Sequence, residues 1–358
     1  MGFYMKIAYL VLEDGTVYRG YAMGAEGSAF GEVVFNTDMT TSQDLLQDPT
    51  YSGQIVVQTF PLIGNRGVDP VSPSRLVASG YVVREWCVEP TDAHEFVTLD
   101  EYLRRQGIVG LCGIDTRALT RHIRDHGVMN GVIVGEIGDK EALMAQAKAY
   151  RVPPAVGKIT VSAPVRYAAA DSRYELAVPD YGFRRSILEF WLQRGCSCTL
   201  YPAYTPAAGL LATNPDGIVL SDGPGDPWDN PEIAEIIREL AASGKPLFGW
   251  GLGHQLMAVA AGYTIEKLPV GHRGSNQPVR DIHTGRVMVT EQTHGYAVAL
   301  ESVGDGADAF LRNVNDGTVE GLRYTGIPAF SVQFEPADGN GYQDTAWVFD
   351  EFVSMLGK

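Results

Sequence analysis

The chain has 358 residues, of which 45% are hydrophobic and 20% are charged, so it is long enough for two globular domains. Its formal net charge of −15 argues against a surface that binds nucleic acid or an anionic membrane. No apolar run approaches the ~20 residues that span a bilayer, and the four cysteines form no metal-ligand pattern. We therefore expect a cytoplasmic protein with reduced thiols and no metal site.

Residues 1–150 have the pattern of a mixed β/α domain. The apolar run 6–12, followed by the turn pair Asp14-Gly15, predicts a β-hairpin. The runs 31–37 and 54–60 predict two further strands.

Helix signals and a connecting segment follow. Thr98 and Glu101 form a capping box for a helix that Gly107 ends. Asp115 is suited to cap a second helix, because its side chain can accept from free backbone N–H groups. The segment 151–173 is rich in Pro, Ala and Ser and predicts an interdomain linker.

Residues 174–358 alternate between strand and helix patterns, which favours βαβ units and an open, mostly parallel sheet. Two helices are predicted, at 184–194 and 231–244. Short apolar runs predict strands at 176–178, 199–201, 218–220 and 246–250. The fold class is therefore α/β, with ligands expected beyond the carboxyl ends of the parallel strands.

The run 246–250 leads into a sharp turn, Gly249-Trp250-Gly251-Leu252-Gly253, and then a helix. This spacing is typical of a nucleophile elbow, in which flanking glycines let a tight turn raise one side chain above a sheet. The residue at the tip is Gly251, which has no side chain. The layout therefore predicts a catalytic turn that has lost its nucleophile.

Two further segments are predicted as loops at the same edge of the sheet. The glycine-rich segment 221–227 follows a strand, and small residues there let the backbone approach a substrate carbonyl. The segment 292–296 reads Gln-Thr-His-Gly-Tyr. These two segments resemble the small subunit of carbamoyl phosphate synthetase, a class I glutamine amidotransferase. The turn at Gly251 and the segments 31–40, 48–56 and 115–127 share this resemblance.

That resemblance implies where glutamine is held. The backbone N–H of Gly223 would help to form an oxyanion hole, and the hydroxyl of Thr50 would contact the amino-acid end of glutamine. The alternative for Thr50 is a turn hydroxyl beside Pro49. The positions that match the family's glutamine pocket are Thr50, Gly223, Gly225, Leu252, Gln255, Thr293, Gly295 and Tyr296.

The resemblance also implies a triad of cysteine, histidine and glutamate. The cysteine position holds Gly251. The family's histidine and glutamate positions match the segment Gln333-Phe334-Glu335-Pro336-Ala337. There the histidine position holds Glu335 and the glutamate position holds Ala337. We therefore expect no intact catalytic residue.

Three functions remain open. The first is a small subunit, degenerate in glutamine hydrolysis, that is the structural or regulatory partner of an ammonia-using large subunit. By the resemblance, residues 1–150 would contact the large subunit, ATP and Mg²⁺ would bind to the large subunit, and no cofactor would bind to this chain. The second is a subunit that binds L-glutamine without hydrolysing it and acts as a sensor. The third, less favoured, is a hydrolase that uses Glu335 to activate water on another amide; otherwise Glu335 is a solvated or ion-paired side chain.

Overall fold

The computed structural model describes residues 5–39, 42–70, 77–91, 96–337 and 344–357. The chain divides into two compact units, Met1–Pro153 and Pro154–Lys358, called here the amino-terminal and carboxy-terminal units. In the described ranges, none of the helices combines the length and the apolar character needed to cross a membrane.

The amino-terminal unit is built on a closed barrel with the strand order β1-β2-β8-β6-β4-β3-β9. Strands β5 and β7 form a separate two-stranded sheet. The strands are β1 (Ile7–Leu12), β2 (Val17–Gly24), β3 (Ala29–Asn36), β4 (Gln54–Gln58), β5 (Leu62–Ile63), β6 (Gly80–Val82), β7 (Glu85–Trp86), β8 (Val109–Cys112) and β9 (Met129–Val134). The helices are α1 (Ser42–Gln47), α2 (Leu99–Gln106), α3 (Thr116–His126) and α4 (Lys140–Ala149).

The local signals predicted for this unit are confirmed. Strands β1 and β2 pair antiparallel around Gly15, whose φ of +90° lies in the region that favours glycine. The Thr98 side chain accepts from the backbone N–H of Glu101 at 3.2 Å, and Gly107 ends α2 with a φ of +75°. Asp115 likewise accepts from the N–H of Ala118 at 2.9 Å and caps α3.

The carboxy-terminal unit contains a ten-stranded sheet with the order β10-β12-β11-β13-β14-β19-β18-β16-β15-β17. The strands are β10 (Val165–Tyr167), β11 (Tyr174–Asp180), β12 (Cys196–Pro202), β13 (Gly217–Leu220), β14 (Leu247–Trp250), β15 (Ile265–Asp281), β16 (Val287–Val298), β17 (Ala307–Asn313), β18 (Val319–Tyr324) and β19 (Ala329–Val332). The helices are α5 (Val156–Ile159), α6 (Arg185–Gln193), α7 (Ala207–Leu211), α8 (Pro231–Ala242), α9 (Leu252–Ala260) and α10 (Trp347–Met355). The five strands from β12 to β19 in this order pair in parallel, and antiparallel strands extend both sides.

Helices cover both faces of the parallel strands, as the α/β prediction requires. Alternate residues of a strand point to opposite faces, so Val219 packs with α6 and α10 while its neighbour Ile218 packs with α8 and α9. Aromatic side chains fill the first face, with Trp191 edge-on to Phe349 at a centroid distance of 4.7 Å. The two cores fix the parallel strands, and with them the loops at their carboxyl ends.

The segment 151–173, predicted as a linker, is mostly part of the carboxy-terminal unit. It contains α5 and β10, and β10 pairs antiparallel with β12 through Arg166 and Thr199. Its Pro and Ala content obscured the strand because a three-residue edge strand carries almost no periodic signal. The division between the units lies at Pro153 and Pro154.

Candidate functional site

The turn between β14 and α9 has the geometry predicted for an elbow. Gly251 adopts φ +53° and ψ −118°, a conformation that residues with a Cβ rarely adopt. Its N–H donates to the carbonyl of Val332 at 3.1 Å, which ties the turn to the end of β19. The predicted strand-turn-helix is confirmed, and its tip carries no side chain.

The flanking glycines allow the helix to approach the sheet closely. A Cβ on Gly249 would lie 2.7 Å from the Met257 sulfur, and one on Gly253 would collide with the carbonyl of Leu220. Both positions therefore require glycine for packing, as the elbow pattern predicts.

The carboxylate of Asp222 occupies the space above Gly251. Its Oδ1 accepts from the backbone N–H of Gly223 at 2.7 Å and from that of Leu252 at 2.7 Å. A Cβ on Gly251 would collide with this carboxylate, most closely with Oδ1. The two N–H groups that an elbow directs at a substrate oxygen are thus both bonded to a side chain of this chain.

The loop that carries Asp222 is fixed by its own contacts. Ser221 Oγ accepts from the backbone N–H of Tyr181 at 2.8 Å, and a Cβ on Gly223 would collide with the carbonyl of Tyr181. Gly225, further along the loop, has a φ of +92°. The backbone at Tyr181, directly after β11, therefore packs against this loop, and only glycine fits at 223.

Other predicted pocket residues lie on α9 and β16. Gln255 is buried, and its side-chain amide donates to the carbonyl of Tyr296 at 3.0 Å and to Gln333 Oε1 at 3.0 Å. Thr293 pairs with Arg273 in the β15–β16 ladder. The structure therefore brings Gln255 and Tyr296 together, and Leu252 begins the same helix as Gln255.

The segment 292–296 was predicted to be a loop, and that prediction is wrong. Thr293, Gly295 and Tyr296 all lie within β16, which pairs with β15 over most of its length. The pattern was missed because this strand carries His and Gly in place of a regular apolar alternation.

The positions expected to hold a histidine and a glutamate are both buried. Glu335 Oε2 lies 3.3 Å from a guanidinium nitrogen of Arg184, and the same guanidinium lies 3.5 Å from Glu291. The ion-paired alternative for Glu335 is therefore the one observed. Ala337 is 1% exposed and packs in the hydrophobic core beside α6 and α10. Its methyl side chain has no carboxyl group and supplies no acid.

Thr50 belongs to the amino-terminal unit. Its hydroxyl donates to Asp48 Oδ1 at 2.7 Å, and the same oxygen accepts its backbone N–H at 2.9 Å. These bonds cap the short 3₁₀ turn Pro49–Tyr51 and correspond to the turn-hydroxyl alternative. A role for Thr50 in glutamine binding stays a prediction.

A histidine cluster lies between β15, β16 and β18. Ligand atoms of His272, His294 and Glu320 all lie within 4.8 Å of one another, a set that could hold a metal ion. Hydrogen bonds and ion pairs already join these groups: His272 Nδ1 lies 3.2 Å from His294 Nε2 and 3.4 Å from Glu320, and His272 Nε2 lies 2.9 Å from Asp316. These contacts account for the cluster as a polar network within the sheet.

The histidines differ in protonation. Burial alone would lower the pKa of His272, but hydrogen bonds to Asp316 and Glu320 raise it to about 9. Burial, followed by the charge of His272, holds the pKa of His294 well below its usual value. Burial also lowers the pKa of His254, on α9, to about 3; its Nδ1 lies 2.7 Å from Ser331 Oγ. His254 is thus a neutral, buried side chain.

Sequence reasoning missed two residues of this site. Arg184 was assigned only to the start of a helix, although it faces Glu335. Asp222 belongs to the glycine-rich segment 221–227, so a carboxylate next to Gly223 was the signal available.

Comparison with known proteins matches each unit to a family model and the whole chain to curated relatives. Residues 10–133 match the carbamoyl-phosphate synthase small chain, CPSase domain, and residues 177–355 match glutamine amidotransferase class-I. The carbamoyl phosphate synthase small chain of Syntrophotalea carbinolica is 42% identical, with 98% of each chain covered. That of Bacillus caldolyticus is 44% identical over 97% of this chain and 96% of its own. The chain therefore belongs to the carbamoyl phosphate synthase small chain family.

Proposed function

We propose that this chain is a carbamoyl phosphate synthase small subunit that does not hydrolyse glutamine and acts as the structural or regulatory partner of a large subunit that uses free ammonia. The tip of the turn carries the proposal: Gly251 offers no nucleophile, and the carboxylate of Asp222 fills the space above it. Loss of a nucleophile alone costs about 10⁶ in rate in a serine protease, so glutaminase activity would be negligible.

The partner is inferred from the family. Identity of 42% extends over 98% of the chain, so the amino-terminal unit, which the resemblance assigns to the large-subunit contact, has been retained along with the rest. A chain that had lost both hydrolysis and its partner would have no evident reason to keep this unit. By the same resemblance, ATP and Mg²⁺ bind to the large subunit.

A glutamine sensor is the second candidate, and one contact favours it. Gln255 and Tyr296, both assigned to the pocket, are joined by a 3.0 Å hydrogen bond, so this side of the pocket is ordered. Hydrolysis through Glu335 is less favoured, because its carboxylate is paired with Arg184. Ala337 also supplies no second group to orient Glu335.

The test is synthesis of carbamoyl phosphate by the chain assembled with its large subunit. We expect product with ammonium and ATP, and none above background with glutamine and ATP. The ammonium reaction serves as the internal control, because it shows that the complex is assembled and competent. Equal rates with the two nitrogen donors would make the chain an ordinary glutamine-hydrolysing small subunit and refute the proposal.

Glutamate release assays on the isolated chain add a direct measurement. Glutamate formation should remain at the level of a buffer blank at every glutamine concentration. A wild-type chain that liberates glutamate at a rate proportional to its concentration would contradict the proposal even without a partner.

A further inference from the structure

We propose that Asp222 is an internal occupant of the oxyanion hole and determines which ligands the pocket excludes. The 2.7 Å bonds from Gly223 and Leu252 both end on one carboxylate oxygen. The two N–H donors belong to separate elements: Gly223 lies in the loop after β13, and Leu252 is the first residue of α9. This inference rests on the proposed function, since it explains how the site stays closed in a chain without a nucleophile.

The arrangement depends on the glycine at the tip. A side chain at 251 would collide with the Asp222 carboxylate, so the carboxylate can lie there only because Gly251 has no Cβ. The turn still presents its two N–H groups in the elbow geometry. The position of the Asp222 carboxylate is therefore coupled to the absence of a side chain at 251.

The chemistry of the two N–H groups defines the ligand class. They converge on a single acceptor, so they would bind a carbonyl or carboxylate oxygen of a ligand. An ionised carboxylate is a stronger acceptor than a neutral amide oxygen, with bonds roughly twice as strong. Asp222 also loses no translational freedom on occupying the hole, whereas a free ligand does.

Glutamine is therefore expected to compete poorly. Its side-chain amide oxygen would have to displace Asp222 from Gly223 and Leu252 and then gain weaker bonds to the same donors. Under this proposal, binding of glutamine by the sensor alternative would first require Asp222 to leave the hole. The pocket would open to amide and carboxylate ligands once that side chain is removed.

The first experiment observes the two N–H groups directly. In a nitrogen-15-labelled chain, Asp222→Ala should shift the amide resonance of Leu252 and speed hydrogen exchange at both Gly223 and Leu252, because both N–H groups lose their acceptor. Asp226→Ala is the matched control: it removes the same charge from the same loop, where Asp226 Oδ1 accepts from Trp228 N–H at 2.9 Å. Unchanged hydrogen exchange at Gly223 and Leu252 in Asp222→Ala would overturn the proposal.

The second experiment measures glutamine binding by calorimetry. Asp222→Ala should bind glutamine at least about tenfold more tightly than the wild type, and Asp226→Ala should match the wild type. Gly251→Ala provides an independent route, since its methyl group would displace the Asp222 carboxylate without removing it. It too should speed hydrogen exchange at Gly223 and Leu252. Equal glutamine affinity in the wild type and Asp222→Ala would overturn the exclusion.

The two proposals fail in different ways. Glutamate release by the wild-type chain would contradict the loss of hydrolysis. Unaltered hydrogen exchange at Gly223 and Leu252, or unaltered glutamine affinity, in Asp222→Ala would contradict the role of Asp222 and leave the loss of hydrolysis standing.

Discussion

Arg184 lies 3.3 Å from the carboxylate of Glu335, and both side chains are largely buried. The pair joins the start of α6 to the segment after β19, so it holds the two sides of the candidate site together. In a medium of low dielectric constant, a charge left without its partner is costly. The pair is therefore a structural contact in a place where hydrolysing relatives are expected to carry a catalytic base.

Glu335→Gln should destabilise the chain by about 1–3 kcal/mol, because the buried Arg184 guanidinium loses one of its two carboxylate partners and keeps only Glu291. Urea denaturation followed by tryptophan fluorescence measures the change in unfolding free energy. Glu175→Gln is the control, since the pair between Arg166 and Glu175 is about half exposed and should change stability by less than about 1 kcal/mol. A stable Glu335→Gln variant that loses a measured hydrolase activity would instead support catalysis by Glu335.

Introducing a cysteine at the tip should not produce glutamine hydrolysis. Gly251→Cys would introduce a Cβ that collides with Asp222, and neither Glu335 nor Ala337 could activate or orient the thiol. We expect glutamate release and covalent labelling by a glutamine analogue at the wild-type level. Only the combination with Asp222→Asn, Glu335→His and Ala337→Glu should hydrolyse glutamine, and turnover by the single variant would contradict this account.

The stability of the carboxy-terminal unit should fall between about pH 6.5 and pH 9. The pKa of His272 is about 9 in the folded chain against about 6.5 when unfolded, so its contribution is complete below about pH 6.5 and is lost as the pH rises through about 9. Replacing His272 with Gln should remove up to about 3 kcal/mol of that pH dependence. Denaturation curves at several pH values provide the measurement. Asp316→Asn, which removes one partner, should give an intermediate slope, whereas equal slopes for wild type and His272→Gln would exclude the mechanism.

Close packing at the turn predicts a steric effect. Gly253→Ala should destabilise the chain by about 1–3 kcal/mol, because the added methyl group would collide with the Leu220 carbonyl and force α9 away from β13. Gly304→Ala is the matched control, since no atom lies within 4 Å of the new methyl group. Thermal denaturation of both variants would decide, and equal melting temperatures would show that α9 adjusts without cost.

Features with local signals were predictable from the sequence. The cap at Thr98, the end at Gly107 and the turn at Gly251 each depend on a few neighbouring residues whose chemistry is sufficient to specify them. The α/β class followed from the alternation of elements in the second half. These signals are strong enough to locate the candidate site from the order of residues alone.

Contacts between distant residues were not predictable in this way. The ion pair of Arg184 with Glu335 joins elements that lie far apart along the chain. The placement of Asp222 above Gly251 depends on the close approach of two loops. The strand β10 within the segment 151–173 is defined by its pairing with β12 and not by its own composition.

The barrel of the amino-terminal unit limits how another protein can bind to it. Its seven strands close, so each has a neighbour on both sides and an incoming chain cannot join by strand addition. Recognition of the barrel wall must use side chains, such as the adjacent Ile7 and Tyr21, each 40% exposed. Point substitutions on that wall, and not peptides that mimic an edge, are therefore the means to weaken an assembly formed there.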